Sequence, residues 1–379
     1  MVSATLTTPG SGRLLTIDLL RGIAAIAVML FHALGLGIFV HAGELRLPQS
    51  WVDGGIFPVS FGFAGVYLFF VISGFCIHLR WVKNQVRGGG EQPLEFVAFW
   101  KRRFRRLYPA YLIALFLFIA AQWQLGNINF NSFFAWDLIS HLLMLHNLDA
   151  RTVYSLNGVF WTLAIEEQLY LAYFLLIWMR KTYGWRIAIM VTFGARIIWF
   201  AFAFIVIRGL NVQMPILESS MANWFIWALG ALAVEARYGI IKLPSWCYSG
   251  LLAAVVLLST CTIYIYEWVN AGAGLTGRAS TFILQPMWGI GFFILVNKVV
   301  TLEGSFTRAA AAIVRLLAWV GLFSYSLYLT HELVFLYIPN VAWPIKALFS
   351  LFFAWLFYLC FEKPFMHLSR PKLIQEAVA

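Results

Sequence analysis

The feature that most constrains this chain is its series of long apolar blocks, which are separated by short polar connections. Each block holds about 20 residues, the length that an α-helix needs to cross the hydrocarbon core of a bilayer. Over the whole chain, 62% of the residues are hydrophobic and 11% are charged, whereas roughly a quarter are charged in soluble domains. The sequence therefore predicts an all-α polytopic membrane helix bundle.

About ten blocks are long enough to be transmembrane helices, and we expect a single domain with short tails at residues 1–12 and 366–379. A further apolar stretch, residues 130–148, is interrupted by Asp137, His141 and His146. We interpret it as an interfacial or re-entrant segment, because unpaired polar groups are costly in lipid. The predicted spans cover residues 17–40, 58–80, 106–125, 161–180, 185–208, 216–237, 246–267, 278–300, 315–338 and 341–361.

The basic residues are distributed unevenly between the two sides that ten spans define. With the N-terminus in the cytoplasm, 20 of the 27 Lys and Arg residues fall on the cytoplasmic side and 5 on the other, while Arg21 and Arg196 lie within spans. This bias predicts a multi-pass plasma membrane protein, in bacteria the inner membrane, with both termini cytoplasmic. The lipid bilayer is the expected partner, and nucleic acid is not, because no soluble basic domain carries the net charge of +11.

The first predicted span contains two ionisable residues, Arg21 and His32. Eleven residues make close to three helical turns, so both side chains should share a face about 16 Å apart. Ionisable groups inside a membrane usually face an interior cavity, and histidine suits proton transfer near neutral pH. A helix-anchoring arginine and a packed histidine would explain the pattern equally well.

Five basic residues occupy the six positions from Lys101 to Arg106, and Pro109 is expected to restart the helix after them. Such a cluster is typical of a positive-inside anchor or a contact with anionic lipid. Its density exceeds what topology needs, however, and several guanidinium groups at a cytoplasmic surface also suit a phosphorylated donor such as coenzyme A. The candidate donor-binding residues are Arg102, Arg103, Arg105 and Arg106.

Two adjacent carboxylates, Glu166 and Glu167, lie early in the fourth predicted span. A carboxylate pair inside a membrane is hard to explain by packing, so we favour a functional role in orienting a histidine or transferring protons. Tyr170 falls four residues after Glu166 and should lie on the same helix face.

The remaining polar positions have simpler structural explanations. In the second predicted span, a tight helix crossing explains the small residues Ser73 and Gly74 better than a role of Ser73 as a nucleophile does. Hydrogen bonding between helices is slightly favoured over catalysis for His331, seven residues after Ser324. His146 should point away from His141 on a helix, so no metal site is expected there.

In this order, these motifs resemble those of acyltransferase family 3, a family of multi-spanning membrane proteins. The resemblance covers nearly the whole chain. It rests on Arg21 and His32, FFVISGF at 69–75, RRFRRLYP at 102–109, WTLAIEEQLYL at 161–171, SYSLYLTH at 324–331 and FEKPF at 361–365.

The resemblance implies transfer of an acyl group, often acetyl, from cytoplasmic acyl-CoA to a hydroxyl of a glycan, a glycolipid or a glycosylated small molecule. It implies that His32 is catalytic with Arg21 as its partner, that Arg103 and Arg106 bind the donor, and that Glu166 is a functional carboxylate which orients or charges the histidine. The expected donor substrate is acyl-CoA, acetyl-CoA in the first instance, and no metal is expected.

Two positions depart from the family pattern: Tyr67 stands where many members have Asp, and Thr330 where many have Trp. No esterase-like domain is recognised after the membrane core, so we expect either transfer without such a module or delivery of the product to a separate protein. The alternative function is a proton-coupled transporter or exporter of a small molecule or glycan precursor. The sequence shows no inverted repeat in favour of it.

Overall fold

The computed structural model describes residues 13–35, 57–88, 94–269, 276–338 and 341–368, and within these ranges it contains helices and no strand. The predicted all-α bundle is therefore confirmed, while the tail at 1–12 and most of the tail at 366–379 lie outside the described residues. The α-helices are α1 Leu15–Leu30, α2 Gly65–Gly88, α3 Phe96–Gln124, α4 Ser132–Leu142, α5 Trp161–Gly209, α6 Ser220–Arg237, α7 Gly250–Val269, α8 Thr276–Val300, α9 Arg308–Leu322, α10 Ser324–Tyr337, α11 Trp343–Phe357 and α12 Lys363–Leu368.

Seven of the described helices are long and apolar enough to cross a membrane, or up to eight if a bent pair counts as one span. The 49-residue helix α5 contains two predicted spans, because Gly184 breaks it with a φ of 79°. Helix α6 covers a further predicted span with 18 residues. The chain is thus a multi-pass membrane protein, and the predicted count of ten spans is approximate.

The predicted span at 315–338 is two helices, α9 and α10, which meet at an angle of 75°. Phe323, with φ −111° and ψ 20°, leaves the helical conformation and so makes the bend. The hydroxyl of Ser324 donates a hydrogen bond of 3.0 Å to the carbonyl of Gly321, which satisfies one of the exposed backbone acceptors at this break. The bend places the first residues of α10 inside the bundle.

Helix α3 continues through Pro109 without interruption, so the expected restart at this residue is wrong. A proline inside a helix leaves the carbonyl four residues earlier without its backbone donor. That carbonyl belongs to Arg105, whose exposed position allows water to bond it instead. The basic cluster and the following apolar span therefore form one rigid helix.

Glycines allow two helix pairs in the bundle to touch through their backbones. A Cβ on Gly74 would lie 1.9 Å from the carbonyl oxygen of Trp227, and one on Gly230 would lie as close to that of Val71. These two contacts join α2 to α6, as the small residue at position 74 predicts. Helix α1 meets α9 in the same way at Gly22.

Residues 132–148 form the 11-residue helix α4 and a short 3₁₀ turn, too short to span a bilayer. His141 lies 3.1 Å from Asp137, and its ring stacks on that of His146 with the centroids 4.0 Å apart. The expectation that His146 points away from His141 is therefore wrong. Met144 reverses the chain with a φ of 55° and brings the second ring back onto the first.

Candidate active site

Helix α1 and the turn after it carry two predicted site residues towards opposite ends of the bundle. Arg21 lies within α1 and lines a cavity between the helices. His32 lies in a π-helical turn, Phe31–Gly35, that continues α1. Single π-helical turns are rare and frequently occur at functional sites. We call the region around Arg21 the arginine end and the region around His32 the histidine end.

The cavity at the arginine end, here called the inner cavity, encloses about 790 Å³ of empty space including its mouth. Helices α1, α2, α3, α5 and α10 contribute its walls. Most of the predicted site residues meet in it, although they are distributed over 150 positions of the sequence. They are Arg21, Ser73, Arg103, Arg106, Glu166 and Tyr170.

A second cavity, the arginine pocket, encloses about 1030 Å³ including open solvent and shares Ile77, Arg103 and Arg106 with the inner cavity. The two cavities are therefore adjacent, with Ile77, Arg103 and Arg106 between them. Of the predicted donor-binding residues, Arg102 also lines the pocket, whereas Arg105 is exposed and lines neither cavity. Arg80 of α2 lines the pocket as well, although the sequence analysis did not select it.

Aromatic rings contact Arg103, which lines both cavities. Its guanidinium carbon lies 5.5 Å from the ring centre of Tyr170 and 5.9 Å from that of Phe99. These are favourable cation–π distances. The buried Nε of Arg106 has no hydrogen-bond partner among the residues that the structure describes. This N–H group therefore remains a donor for an anion.

Glu362, which the sequence analysis did not single out, is a buried carboxylate close enough to Arg106 and Arg21 for their charges to act on it. The hydroxyl of Ser326 donates to its Oε2 at 2.6 Å. Glu362 belongs to the FEKPF segment at 361–365, directly after the last predicted span. A carboxylate beside an apolar span was the signal that could have identified it.

Glu166 faces the inner cavity, and the hydroxyl of Tyr170 donates to its Oε2 at 2.9 Å, as the four-residue spacing predicts. Arg21 and Arg103 are close enough for their charges to act on this carboxylate, and Ser73 hydrogen-bonds to it. The Ser73 oxygen also accepts a hydrogen bond of 3.2 Å from Trp227. This network places the Glu166 carboxylate at the arginine end.

Glu167 lies outside this network. Its side chain is buried and lines neither cavity. Its Oε2 has no hydrogen-bond partner within the described ranges.

At the histidine end, His32 meets His331 and Glu332, and we call these three residues the histidine cluster. The Nε2 of His331 lies 3.3 Å from the Nδ1 of His32, and the Oε1 of Glu332 lies 3.4 Å from the Nε2 of His32. One ligand atom from each residue lies within 4.8 Å of the others, a spacing that could hold a metal ion. Two imidazoles and a carboxylate are a donor set that zinc accepts.

Two neighbouring aromatic rings in the wall of the inner cavity lead towards the histidine cluster. Phe69 and Tyr328 both line the cavity, and their ring centres lie 5.7 Å apart. The ring of Tyr328 also lies 6.0 Å from that of His331, and its hydroxyl accepts a hydrogen bond of 2.8 Å from Thr162. We call Phe69 and Tyr328 the aromatic barrier.

Residues 14–361 match the family model of the acyltransferase domain, acyltransferase family 3. The chain belongs to this family. A peptidoglycan O-acetyltransferase of Listeria monocytogenes, OatA, is 25% identical over 341 residues, which are 83% of this chain and 48% of that protein. The O-acetyltransferase OatA of Staphylococcus aureus is 27% identical over 187 residues, 42% of this chain and 24% of that protein.

The chain thus spans about half or less of the length of these curated relatives. No solved structure matches it. The family match covers every residue of the inner cavity and of the histidine cluster, so both regions belong to the shared acyltransferase domain.

The sequence analysis selected all four charged side chains that line the inner cavity, which are Arg21, Arg103, Arg106 and Glu166. At the histidine end it selected His32 and His331 but not Glu332, which follows His331 directly in the sequence. A carboxylate inside an apolar span is itself a signal for function, and this signal could have identified Glu332.

Proposed function

We propose that this protein is a membrane O-acyltransferase that moves an acyl group from cytoplasmic acyl-CoA to a hydroxyl of a sugar-containing acceptor. The observation that carries the proposal is that the arginine pocket and the inner cavity are adjacent and share Arg103 and Arg106 in their walls. A pocket lined by guanidinium groups thus lies next to a cavity inside the bundle, and a long donor with phosphates at one end and a thioester at the other would use both.

The donor's phosphates would bind in the arginine pocket. Arg80, Arg102, Arg103 and Arg106 line it, and the Nε of Arg106 is buried without a partner among the described residues. Guanidinium forks suit phosphate, because they donate paired hydrogen bonds to its oxygens. The arginine end faces the cytoplasm in this proposal, which agrees with the distribution of Lys and Arg along the chain.

The thioester arm would lie in the inner cavity and point towards the aromatic barrier. Arg21 and Glu166 line this cavity and are proposed to act on the reacting end of the donor. His32, beyond the barrier, either accepts the proton of the acceptor hydroxyl or carries the acyl group transiently. In both routes the bond between the acyl carbon and sulfur breaks, and the coenzyme A thiolate takes up a proton.

The acceptor would approach from the histidine end. The Listeria relative is named a peptidoglycan O-acetyltransferase, and we propose by analogy that the acceptor is a hydroxyl of a cell-envelope glycan and that the acyl group is acetyl. This analogy rests on the family and not on residues that recognise a particular sugar.

The transporter alternative has one structural feature in its favour, the helix bent by 75° between α9 and α10. Broken helices of this kind form substrate sites in transporters, where they occur in matching positions of two halves. Family membership favours the transferase, since residues 14–361 match an acyltransferase domain.

Binding of acetyl-CoA to the purified protein in detergent tests the proposal. We expect the double variant Arg103→Ala/Arg106→Ala to bind at least about 100-fold more weakly, because each charge-assisted hydrogen bond is worth roughly 1.5–3 kcal/mol. Lys101→Ala/Arg105→Ala is the matched control, since it removes the same charge from two exposed positions of the same helix. Its affinity should stay within about threefold of wild type.

Equal losses in both double variants would show that the helix attracts coenzyme A only through its overall charge. A folded wild-type protein that binds neither acetyl-CoA nor a longer acyl-CoA would contradict the proposal and favour the transporter.

A further inference from the structure

The carboxylate that contacts His32 is Glu332 and not one of the pair at 166–167. Its Oε1 lies 3.4 Å from the Nε2 of His32, and its side chain is only 7% exposed. A buried carboxylate beside an imidazole is costly unless the two groups compensate each other. The burial of the Glu332 carboxylate is therefore to be explained by its contact with His32.

The hydrogen bonds of the two histidines determine where protons lie. The Nδ1 of His32 is 2.9 Å from the carbonyl of Val28, and the Nδ1 of His331 is 3.0 Å from that of Leu327. A carbonyl only accepts, so both Nδ1 atoms carry hydrogen in the neutral rings. The free lone pair of His331, on Nε2, then accepts from the Nδ1–H of His32 at 3.3 Å.

This arrangement leaves one unsatisfied position, the Nε2 of His32. In a neutral ring its lone pair would face the oxygen of Glu332, and two acceptors repel each other. Uptake of a proton at Nε2 removes the conflict, so this nitrogen is the basic atom of the ring. A metal ion is disfavoured, because His331 already uses its lone pair, so that two ligands remain where zinc takes at least three from the protein.

The connection before α5 is built around the same carboxylate. The backbone N–H of Gly158 donates to the Oε2 of Glu332 at 2.9 Å. A Cβ on Gly158 would lie 2.8 Å from Oε1, so any side chain there would displace the carboxylate. The side chain of Asn157 accepts from the N–H groups of Val159 and Phe160 and thereby fixes this turn.

We propose that Glu332 is the positioning residue of His32: it orients the imidazole and balances the positive charge that the ring acquires during acyl transfer. The inference rests on the proposed function and deepens it. In the direct route, the acceptor's O–H bond breaks and its proton bonds to the Nε2 of His32, while the acceptor oxygen bonds to the acyl carbon and the C–S bond of the thioester breaks. In the relay, Nε2 bonds to the acyl carbon as the C–S bond breaks; the acceptor oxygen then takes the acyl group from Nε2, and the acceptor's proton goes to the coenzyme A thiolate. The ring becomes cationic in both, so the same carboxylate serves either route.

Glu332→Gln tests the charge while keeping the shape and an oxygen for the N–H of Gly158. The probe is acetyl-CoA turnover in proteoliposomes with soluble peptidoglycan fragments, followed by the free thiol of coenzyme A. We expect kcat to fall about 100-fold, while KM and Kd for acetyl-CoA and the thermal midpoint stay at wild-type values. The matched control is Glu303→Gln, because Glu303 accepts from the N–H groups of Leu15 and Thr16 away from both cavities.

Gly158→Ala provides a second, independent test. In the wild-type background its methyl group should displace the Glu332 carboxylate and lower kcat about tenfold. In a Glu332→Ala background the space is free, so the same substitution should have no further effect. Equal losses in both backgrounds would mean that Gly158 acts on the fold and not through Glu332.

The remaining outcomes separate the inference from the proposed function. Wild-type kcat in Glu332→Gln, together with loss of turnover in His32→Ala, would overturn the inference alone. A wild-type protein without acetyl-CoA turnover would overturn the proposed function. One equivalent of a metal that copurifies with the wild type and is lost in Glu332→Gln would replace the positioning role by a metal site.

Discussion

The two ends of the bundle use opposite physical strategies. The arginine end is open and charged: four guanidinium groups line the arginine pocket, and the Nε of Arg106 is buried with no partner in the described part of the chain. The histidine end is compact, and its side chains bond to each other and to the backbone. The arginine end suits an anionic ligand, whereas the side chains of the histidine end are held in place by hydrogen bonds before any ligand binds.

This difference suggests how recognition and chemistry are divided. Charge at an open surface contributes to capture, because it acts at a distance and tolerates motion of the ligand. Proton transfer needs groups held within a few tenths of an ångström, which buried hydrogen bonds provide. We therefore expect variants at the two ends to affect different kinetic parameters.

His32→Ala should give the largest effect. We expect kcat for acetyl-CoA turnover to fall about 1000-fold, because a positioned acid–base group contributes roughly 10²–10⁴. The Kd for acetyl-CoA should not change, since His32 lies outside both cavities. Steady-state turnover and calorimetric binding on the same preparation provide the measurement. A variant that keeps its turnover, or that loses binding instead, would remove the distinction between the two ends.

The spans and several side chains at the arginine end could be predicted from the sequence, because their signals are local. A block of apolar residues predicts a span from its own composition, and Glu166 and Tyr170 meet because four residues complete one helical turn. The break of α5 at Gly184 and the bend at Phe323 are changes of backbone dihedral angles at single residues inside apolar segments. For that reason hydropathy places both segments without giving their shape.

The histidine cluster shows the limit of such reasoning. His32 and Glu332 are 300 positions apart, and no local pattern relates them. The sequence analysis expected Glu166 to orient or charge His32, from its place in a carboxylate pair and from the family resemblance, while the carboxylate in contact with His32 in the structure is Glu332. Which carboxylate faces which histidine is decided by how the helices that carry them are placed in the bundle.

Arg80→Ala should have the next largest effect, and it sharpens the description of the arginine end. Arg80 lines the arginine pocket from α2, so its loss should weaken acetyl-CoA binding about tenfold through one charge-assisted bond. Arg105→Ala is the control, because this exposed residue lines neither cavity. Isothermal titration of both variants checks the prediction. A stronger effect of Arg105 would mean that the donor binds on another face of α3.

Phe69→Ala tests whether the aromatic barrier keeps the two ends apart. Removing this ring should open the inner cavity towards the histidine end and admit water to the thioester. Closed sites suppress such side reactions. We expect acetyl-CoA hydrolysis without an acceptor to rise about threefold, with little change in donor binding. Phe349→Ala, an exposed aromatic of α11, is the matched control. Unchanged hydrolysis in Phe69→Ala would mean that Tyr328 alone closes the passage.

Acidification should lower folding stability without weakening donor binding at the arginine end, and this is the smallest effect that we predict. His146 lies outside the spans, and burial together with the neighbouring His141 lowers its pKa from 6.5 to about 3. The folded state keeps this ring neutral, whereas the unfolded state takes up a proton below about pH 6.5. Folding stability from this group is therefore complete above pH 6.5 and is lost as the pH falls towards 3.

Between pH 7.5 and pH 5, this linkage should reduce stability by about 1–2 kcal/mol and lower the apparent thermal midpoint by roughly 2–4 °C. His146→Phe keeps a flat ring against His141 but cannot take up a proton, so its midpoint should change less over the same range. Binding of acetyl-CoA at pH 5.5 should persist in both proteins, because guanidinium groups stay charged there. A midpoint with the same pH dependence in His146→Phe would place the acid-sensitive element elsewhere in the bundle.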